Sequence, residues 1–203
     1  MSATKPSRRT VLRRRTRQGG TAAVEFALLA AIFFTLVFGV IETARLMFVF
    51  NTLQEVTRRA VAAGVKVYPT DTVGTDTVRQ RAIFRDDPGG LLLAPPVTDE
   101  HIRLDYLRFD LSVIPPATWP ADAIENKQIC TINPRAANCI RFVQARVCDT
   151  GDANECNAVT SQMLLPLIDL RVPLHRATTI APVESFGYVP GTLPSAPPAC
   201  PCL

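Results

Sequence analysis

The sequence predicts an α+β protein: a long N-terminal transmembrane and amphipathic α-helix, then a small disulfide-linked β-rich extracytoplasmic domain. Three observations predict it. Residues 26–41 (FALLAAIFFTLVFGVI) form an uncharged, almost wholly apolar run. Helical spacing continues beyond that run to about residue 67, and residues 7–68 contain no proline. All six cysteines lie at or after Cys130, and 16 of the 17 prolines lie at or beyond Pro69.

The apolar run grows to 21 residues when Thr21–Glu25 is included. At the rise of an α-helix this is roughly 31 Å, about the hydrocarbon thickness of a bilayer. Few core helices are apolar on every face over such a length. Residues 1–20 precede it with seven basic residues (Lys5, Arg8, Arg9, Arg13, Arg14, Arg15, Arg17) and no acidic one. The positive-inside rule therefore predicts a cytoplasmic N-terminus and an exported body. The rest of the chain carries 15 basic and 18 acidic residues. The basic character thus belongs to the leader, and the body gives no reason to expect nucleic acid as a partner.

From Glu42 to Lys66 there is one glycine and no proline. Leu46, Val49, Phe50, Leu53, Val56, Ala60, Ala63 and Val67 recur three or four apart, the spacing of one helix face. Tyr68-Pro69 is a natural stop, because a residue before proline avoids the helical region. The expected organisation is a basic cytoplasmic leader over 1–20 and a long helix over 21–67. The helix divides into a membrane span over about 21–41 and an amphipathic extension over 42–67. A β-rich periplasmic domain follows over 68–186, then a Pro/Gly-rich tail over 187–203.

Within the domain, the threonine-rich residues 70–77 read as a loop and Thr77–Arg85 as a short helix. Strand candidates are His101–Val113, Ile140–Val147, Leu164–Val172 with Pro166 inside it, and Thr178–Val183. An even set of cysteines confined to the exported part suggests disulfides in an oxidising compartment. Six cysteines allow fifteen pairings. Local bridges Cys130–Cys139 and Cys148–Cys156 are the expectation, while Cys200 and Cys202 suit a structural pairing or a mixed one with the earlier cysteines.

A single carboxylate, Glu25, sits near the entrance of the span. A charged residue in a membrane segment costs up to about 2.5–3.5 kcal/mol at the centre and less near the edge, so it is a functional candidate. The plainer reading is headgroup placement with pairing to Arg17. Glu42 and Arg45, three apart at the outer end, suit an interfacial ion pair.

The pattern Gly20, four residues, then Glu25-Phe26 resembles the processing site of type IV prepilins and pseudopilins. With its surroundings, GGTAAVEFALLAAIFF, FGVIETARLMF and TRRAVAAGV, the segment over about 17–66 resembles the TadE-like family of the tight-adherence (Flp) pilus system. Ala31 stands near where relatives usually carry proline, which implies a straighter span. The resemblance implies a prepilin-peptidase cut between Gly20 and Thr21. It also implies that Glu25 pairs with the new α-amine of a neighbouring subunit. The implied role is a pseudopilin or minor pilin, a structural part and not an enzyme. The implied place is the bacterial inner membrane, single-pass, with a periplasmic C-terminal domain. Implied partners are membrane lipid, prepilin peptidase, other pilin or pseudopilin subunits and pilus assembly proteins. The competing readings are an uncleaved membrane-tethered periplasmic binding or adhesion module and an anchored enzyme using the cysteines.

Other motifs carry less. Ser7–Arg13 resembles a twin-arginine export signal, but Glu42 occupies the place where a cleavage site would follow the span. Asp149-Thr150-Gly151 matches the aspartic-protease tripeptide without a second copy, and 149–155 has only part of a calcium-loop spacing. Cys200-Pro201-Cys202 could be a redox dithiol. His101 and His175 stand alone, and no CxxC occurs, so no metal or cofactor is expected. No phosphate loop, nucleotide fingerprint or Ser/His/Asp arrangement is present.

Overall fold

A computed structural model describes residues 19–151, 155–163, 171–174 and 176–188. The chain forms two compact units, Met1–Ile41 and Glu42–Leu203. Helix α1 spans Gly19–Gly64. It is helical from the first described residue and ends three residues earlier than the sequence suggests, with Lys66 and Val67 closing turns onto Ala63 and Gly64.

In the first unit α1 is an apolar rod with its side chains outward. Phe26 is 73% exposed and Leu29 68%. Aromatic rings stack along it, Phe34 on Phe38 at 5.9 Å between centroids. Thr35 returns its hydroxyl to the Ala31 carbonyl at 2.7 Å, so the hydroxyl makes no demand on lipid. The helix is long and apolar enough to cross a membrane, and none of its apolar window is buried by the rest of the chain. A core helix would be covered, so the exposure argues for membrane anchoring.

The second unit is an α+β domain built on the remainder of α1. Val49, Leu53, Val56, Ala60 and Val61 are at most 1% exposed and form one stripe. They pack with Ile102, Ala145 and Val147 from the sheet. The sheet has β1 (Ile102–Leu107), β2 (Phe142–Val147) and β5 (Thr178–Pro182) in the order β1-β2-β5, all antiparallel. Register pairs Ile102 with Val147 and Phe142 with Pro182. In β2 the buried residues alternate (Val143, Ala145, Val147), as period two requires when one face meets a helix. Gly64 lies where an added Cβ would be 3.4 Å from Val143, which lets the helix end approach the sheet closely. A second cluster, Tyr106, Ile114, Ile140, Val143 and Phe186, extends the core.

These three strands fall inside the segments the sequence marks. The Leu164–Val172 candidate is described only at its end, where β4 (Val172–Pro173) pairs with β3 (Thr160–Ser161). Pro166 and residues 189–203 of the tail lie outside the described residues.

Two helices differ from expectation. The threonine-rich loop is the start of α2 (Thr72–Ala82), because Asp71 accepts from the Gly74 N–H at 2.9 Å and caps it. The helix then ends at Ala82, short of Arg85. Helix α3 (Ala123–Ile132) was not expected at all. Asp122 caps it, accepting from Ile124 and Glu125 N–H at 2.9 and 2.8 Å, and Glu125 accepts in return from Ala121 N–H. Buried Asn126 then docks α3 beside β2, donating to the Ile140 carbonyl and accepting from its N–H.

Disulfides join Cys130 to Cys139 and Cys148 to Cys156. The first ties α3 to the residues entering β2. The second closes the loop that leaves β2. Cys200 and Cys202 lie outside the described residues.

Candidate functional site

The residues singled out in the sequence fall into three places. Gly20, Thr21, Glu25 and Phe26 occupy the first described turns of α1. Thr21 and Glu25 are four apart and share a helix face. Glu25 and Phe26 are exposed, and nothing lies within 4 Å of a Cβ placed on Gly20. Glycine at this point makes local unwinding cheap, by about 1 kcal/mol relative to alanine. Glu25 is the one carboxylate on a surface otherwise fit for lipid. Arg17 and the basic leader lie outside the described residues.

Glu42 and Arg45 form the second place. Arg45 donates from Nε to Glu42 Oε1 at 2.9 Å and from Nη2 to the same oxygen at 2.5 Å. Both residues are 6% exposed. Arg45 also donates from Nη1 to the Leu93 carbonyl at 3.0 Å, and from Nη2 to the Gln162 carbonyl at 2.7 Å and Ser161 Oγ at 3.3 Å. The pair is therefore a closed polar knot under two distant chain segments. The reason is its phase: positions 42, 45, 49, 53, 56 and 60 follow one helical stripe, so the pair faces the domain with Val49 and Leu53. That spacing was readable. Leu93, Ser161 and Gln162 carried no sequence signal, since they supply mainly backbone carbonyls.

The third place is a cleft lined by Arg79, His101, Asp105, Tyr106, Trp119 and Asp149. Asp105 accepts from Arg146 across the strand pair at 2.8 Å and from Arg103 at 3.1 Å. Trp119 donates to the Ile114 carbonyl and meets Tyr106 edge-on at 5.1 Å. The Tyr106 hydroxyl and Arg79 Nε are buried without a hydrogen-bond partner among the described residues. Burial pushes the Tyr106 hydroxyl up to about 12, against a smaller opposing pull from Arg79. His101 is held below the usual histidine range by burial, and its Nδ1 accepts from the Thr98 N–H at 3.1 Å. Asp149-Thr150-Gly151 is the start of the loop closed by Cys148–Cys156. His175 lies outside the described residues, as do 152–154.

An exposed apolar helix heading an α+β domain stitched by two disulfides defines a membrane-anchored class of protein. Residues 20–62 match the family described as TadE-like protein. The likeness points to a component associated with the tight-adherence pilus. No curated protein and no solved structure gives a match.

Proposed function

We propose that this chain is a pseudopilin or minor pilin, a membrane-anchored structural component in the assembly of a tight-adherence, type IV-like pilus. The observation that carries the reading is the sequence of features along α1: an exposed glycine, then a lipid-fit rod bearing one carboxylate five residues later. In this reading the basic leader stays in the cytoplasm and the domain lies in the periplasm of a single-pass inner-membrane protein. Prepilin peptidase cuts after Gly20, and the new Thr21 amine on one subunit meets Glu25 on the next. Pairing makes chemical sense because each charge is expensive alone in a membrane and less so together. The role is one of assembly and not of catalysis.

Leader processing tests it. Co-expression with a prepilin peptidase should shorten the chain by the 20 residues that precede Thr21. Gly20→Leu should abolish the shift. The helix has room for that side chain, so the loss would reflect rejection by the peptidase and not misfolding. A full-length chain beside an active peptidase would favour the alternative of an uncleaved tethered binding or adhesion module.

A further inference from the structure

We propose that the cleft beside β1 is a docking site for an extended peptide segment of a partner protein, one that carries an acidic side chain and pairs main chain to main chain with Leu104. The proposal adds a partner surface to the domain and does not depend on processing of the leader.

The main chain of β1 alternates in what it faces. Cys148 N–H bonds to the His101 carbonyl and Arg141 N–H to the Leu107 carbonyl, both at 2.9 Å, so Arg103 and Asp105 between them also turn toward β2. Ile102, Leu104 and Tyr106 turn to the outer edge. There the Ile102 N–H bonds to the Asp99 carbonyl, and the Tyr106 carbonyl accepts from the Ile114 N–H at 2.9 Å. Leu104 lies between these two points. Neither its N–H nor its carbonyl has a partner on that edge among the described residues. The gap from Ile102 to Tyr106 is about 13 Å, room for about three residues of an extended chain. An unpaired edge of this kind is a template for a further strand. A cleft of about 470 Å³ opens along it.

Side-chain phase selects the residue that fits. Ile102, Leu104 and Tyr106 share the face turned to the core. A residue paired opposite Leu104 puts its side chain on that same face, diagonally next to Tyr106. Tyr106 is 3% exposed, and its hydroxyl has no hydrogen-bond partner among the described residues. The same holds for buried Arg79 Nε, although Arg79 gives its Nη1 to Asp76 at 3.0 Å. Both side chains line the cleft. Two buried donors without an acceptor require one, and a carboxylate accepts from both while opposing the Arg79 charge. The other charges of the cleft do not interfere. Asp105 is held by Arg103 and Arg146. Glu100 and Asp149 belong to the His101 end of the strand, three residues or about 10 Å from Leu104.

Trp119 is the single tryptophan of the chain and lines the same cleft, so its emission reports occupancy without a label. The probe is acetyl-Val-Glu-Val-amide, titrated into the full chain in uncharged detergent micelles. A saturable change in emission is expected, with a dissociation constant on the order of 1 mM or tighter. The same peptide N-methylated on its glutamate keeps the charge but loses the main-chain donor, and should bind about tenfold more weakly. Acetyl-Val-Gln-Val-amide should also be weaker, since it brings no charge to Arg79. In the protein, Tyr106→Phe and Arg79→Gln should each weaken binding of the glutamate probe by about tenfold. Both leave Trp119 and its bond to the Ile114 carbonyl in place. No saturable change at roughly ten times the expected dissociation constant would overturn the docking site. Equal binding of the N-methylated peptide would overturn the pairing with Leu104. Undiminished binding to both variants would place the peptide elsewhere and overturn the proposal. Each readout is independent of whether the leader is cut, so docking and processing fail separately.

Discussion

Arg45 and Glu42 face each other one helical turn apart, Nε to Oε1 at 2.9 Å, with almost no solvent on either. Such a pair behaves asymmetrically. Burial has stripped both charges of water, so the pair adds little net stability while intact, yet each partner depends on the other. Arg45→Ala should therefore cost about 3–5 kcal/mol, because Glu42 is left charged and buried and the Leu93 and Gln162 carbonyls lose their donor. The double variant Glu42→Leu/Arg45→Met should cost less than the sum of the singles. Thermal unfolding of the full chain in detergent micelles, followed by near-ultraviolet circular dichroism, measures both. Additive losses would show that the two residues act independently.

Glu25 makes the opposite case, since it has open surroundings in the isolated chain. Glu25→Ala should leave membrane insertion and domain stability unchanged while sharply reducing pilus assembly. Alkaline extraction of membranes reports the first, and sheared surface filaments report the second. Wild-type filament yield from the variant would remove Glu25 from the assembly contact.

The two disulfides close short loops. Cys148→Ser/Cys156→Ser closes no loop of sequence separation 8, and the chain-entropy cost of that release is about 2–3 kcal/mol. Cys130→Ser/Cys139→Ser should cost a similar amount. Melting with and without reductant checks this. Alkylation of the unreduced, unfolded chain should leave these four cysteines unlabelled in peptide mass maps.

Tyr106 gives a pH dependence with a defined sign. Its hydroxyl titrates at about 12 in the folded chain because burial disfavours the phenolate, against 10.0 when exposed. The folded state therefore keeps its proton where the unfolded state loses it. This contribution is fully present below pH 10 and is lost as pH rises from there through about 12. Tyr106→Phe should remove that part of the alkaline slope. At pH 7 it should be neutral to stabilising by about 1 kcal/mol, because the buried hydroxyl has no hydrogen-bond partner among the described residues to lose. Burial also holds the Tyr68 hydroxyl above the usual tyrosine range, so Tyr68→Phe should remove an alkaline slope of the same sign, and the two variants differ at neutral pH. The Tyr68 hydroxyl donates to the Pro120 carbonyl, and that bond would be lost at every pH. Melting temperatures across pH 7–12 for both variants separate the two cases.

Helix and strand positions were legible wherever the signal was local. The charge-free run over 26–41, the three-and-four spacing through α1, and the strand formers in Phe142–Val147 each declare themselves within a few residues. Helices α2 and α3 were harder. Both start from aspartate caps, Asp71 and Asp122, in polar text that also suits loops, and a cap shows only once its N–H donors are placed. Asp122 followed by Glu125 was the available sign of α3.

By itself the sequence determined an apolar rod with a basic leader, a glycine and a glutamate at its entrance, and a cysteine-bearing body. These follow from composition and period, which act along the chain. Tertiary structure alone decided that Arg45 would clasp Leu93, Ser161 and Gln162, and that the Tyr106 hydroxyl would be buried with no hydrogen-bond partner among the described residues. It also decided that Leu92 would stand exposed beside Phe48. Those contacts join segments far apart in sequence through backbone carbonyls and shape, and neither leaves a mark on residue type.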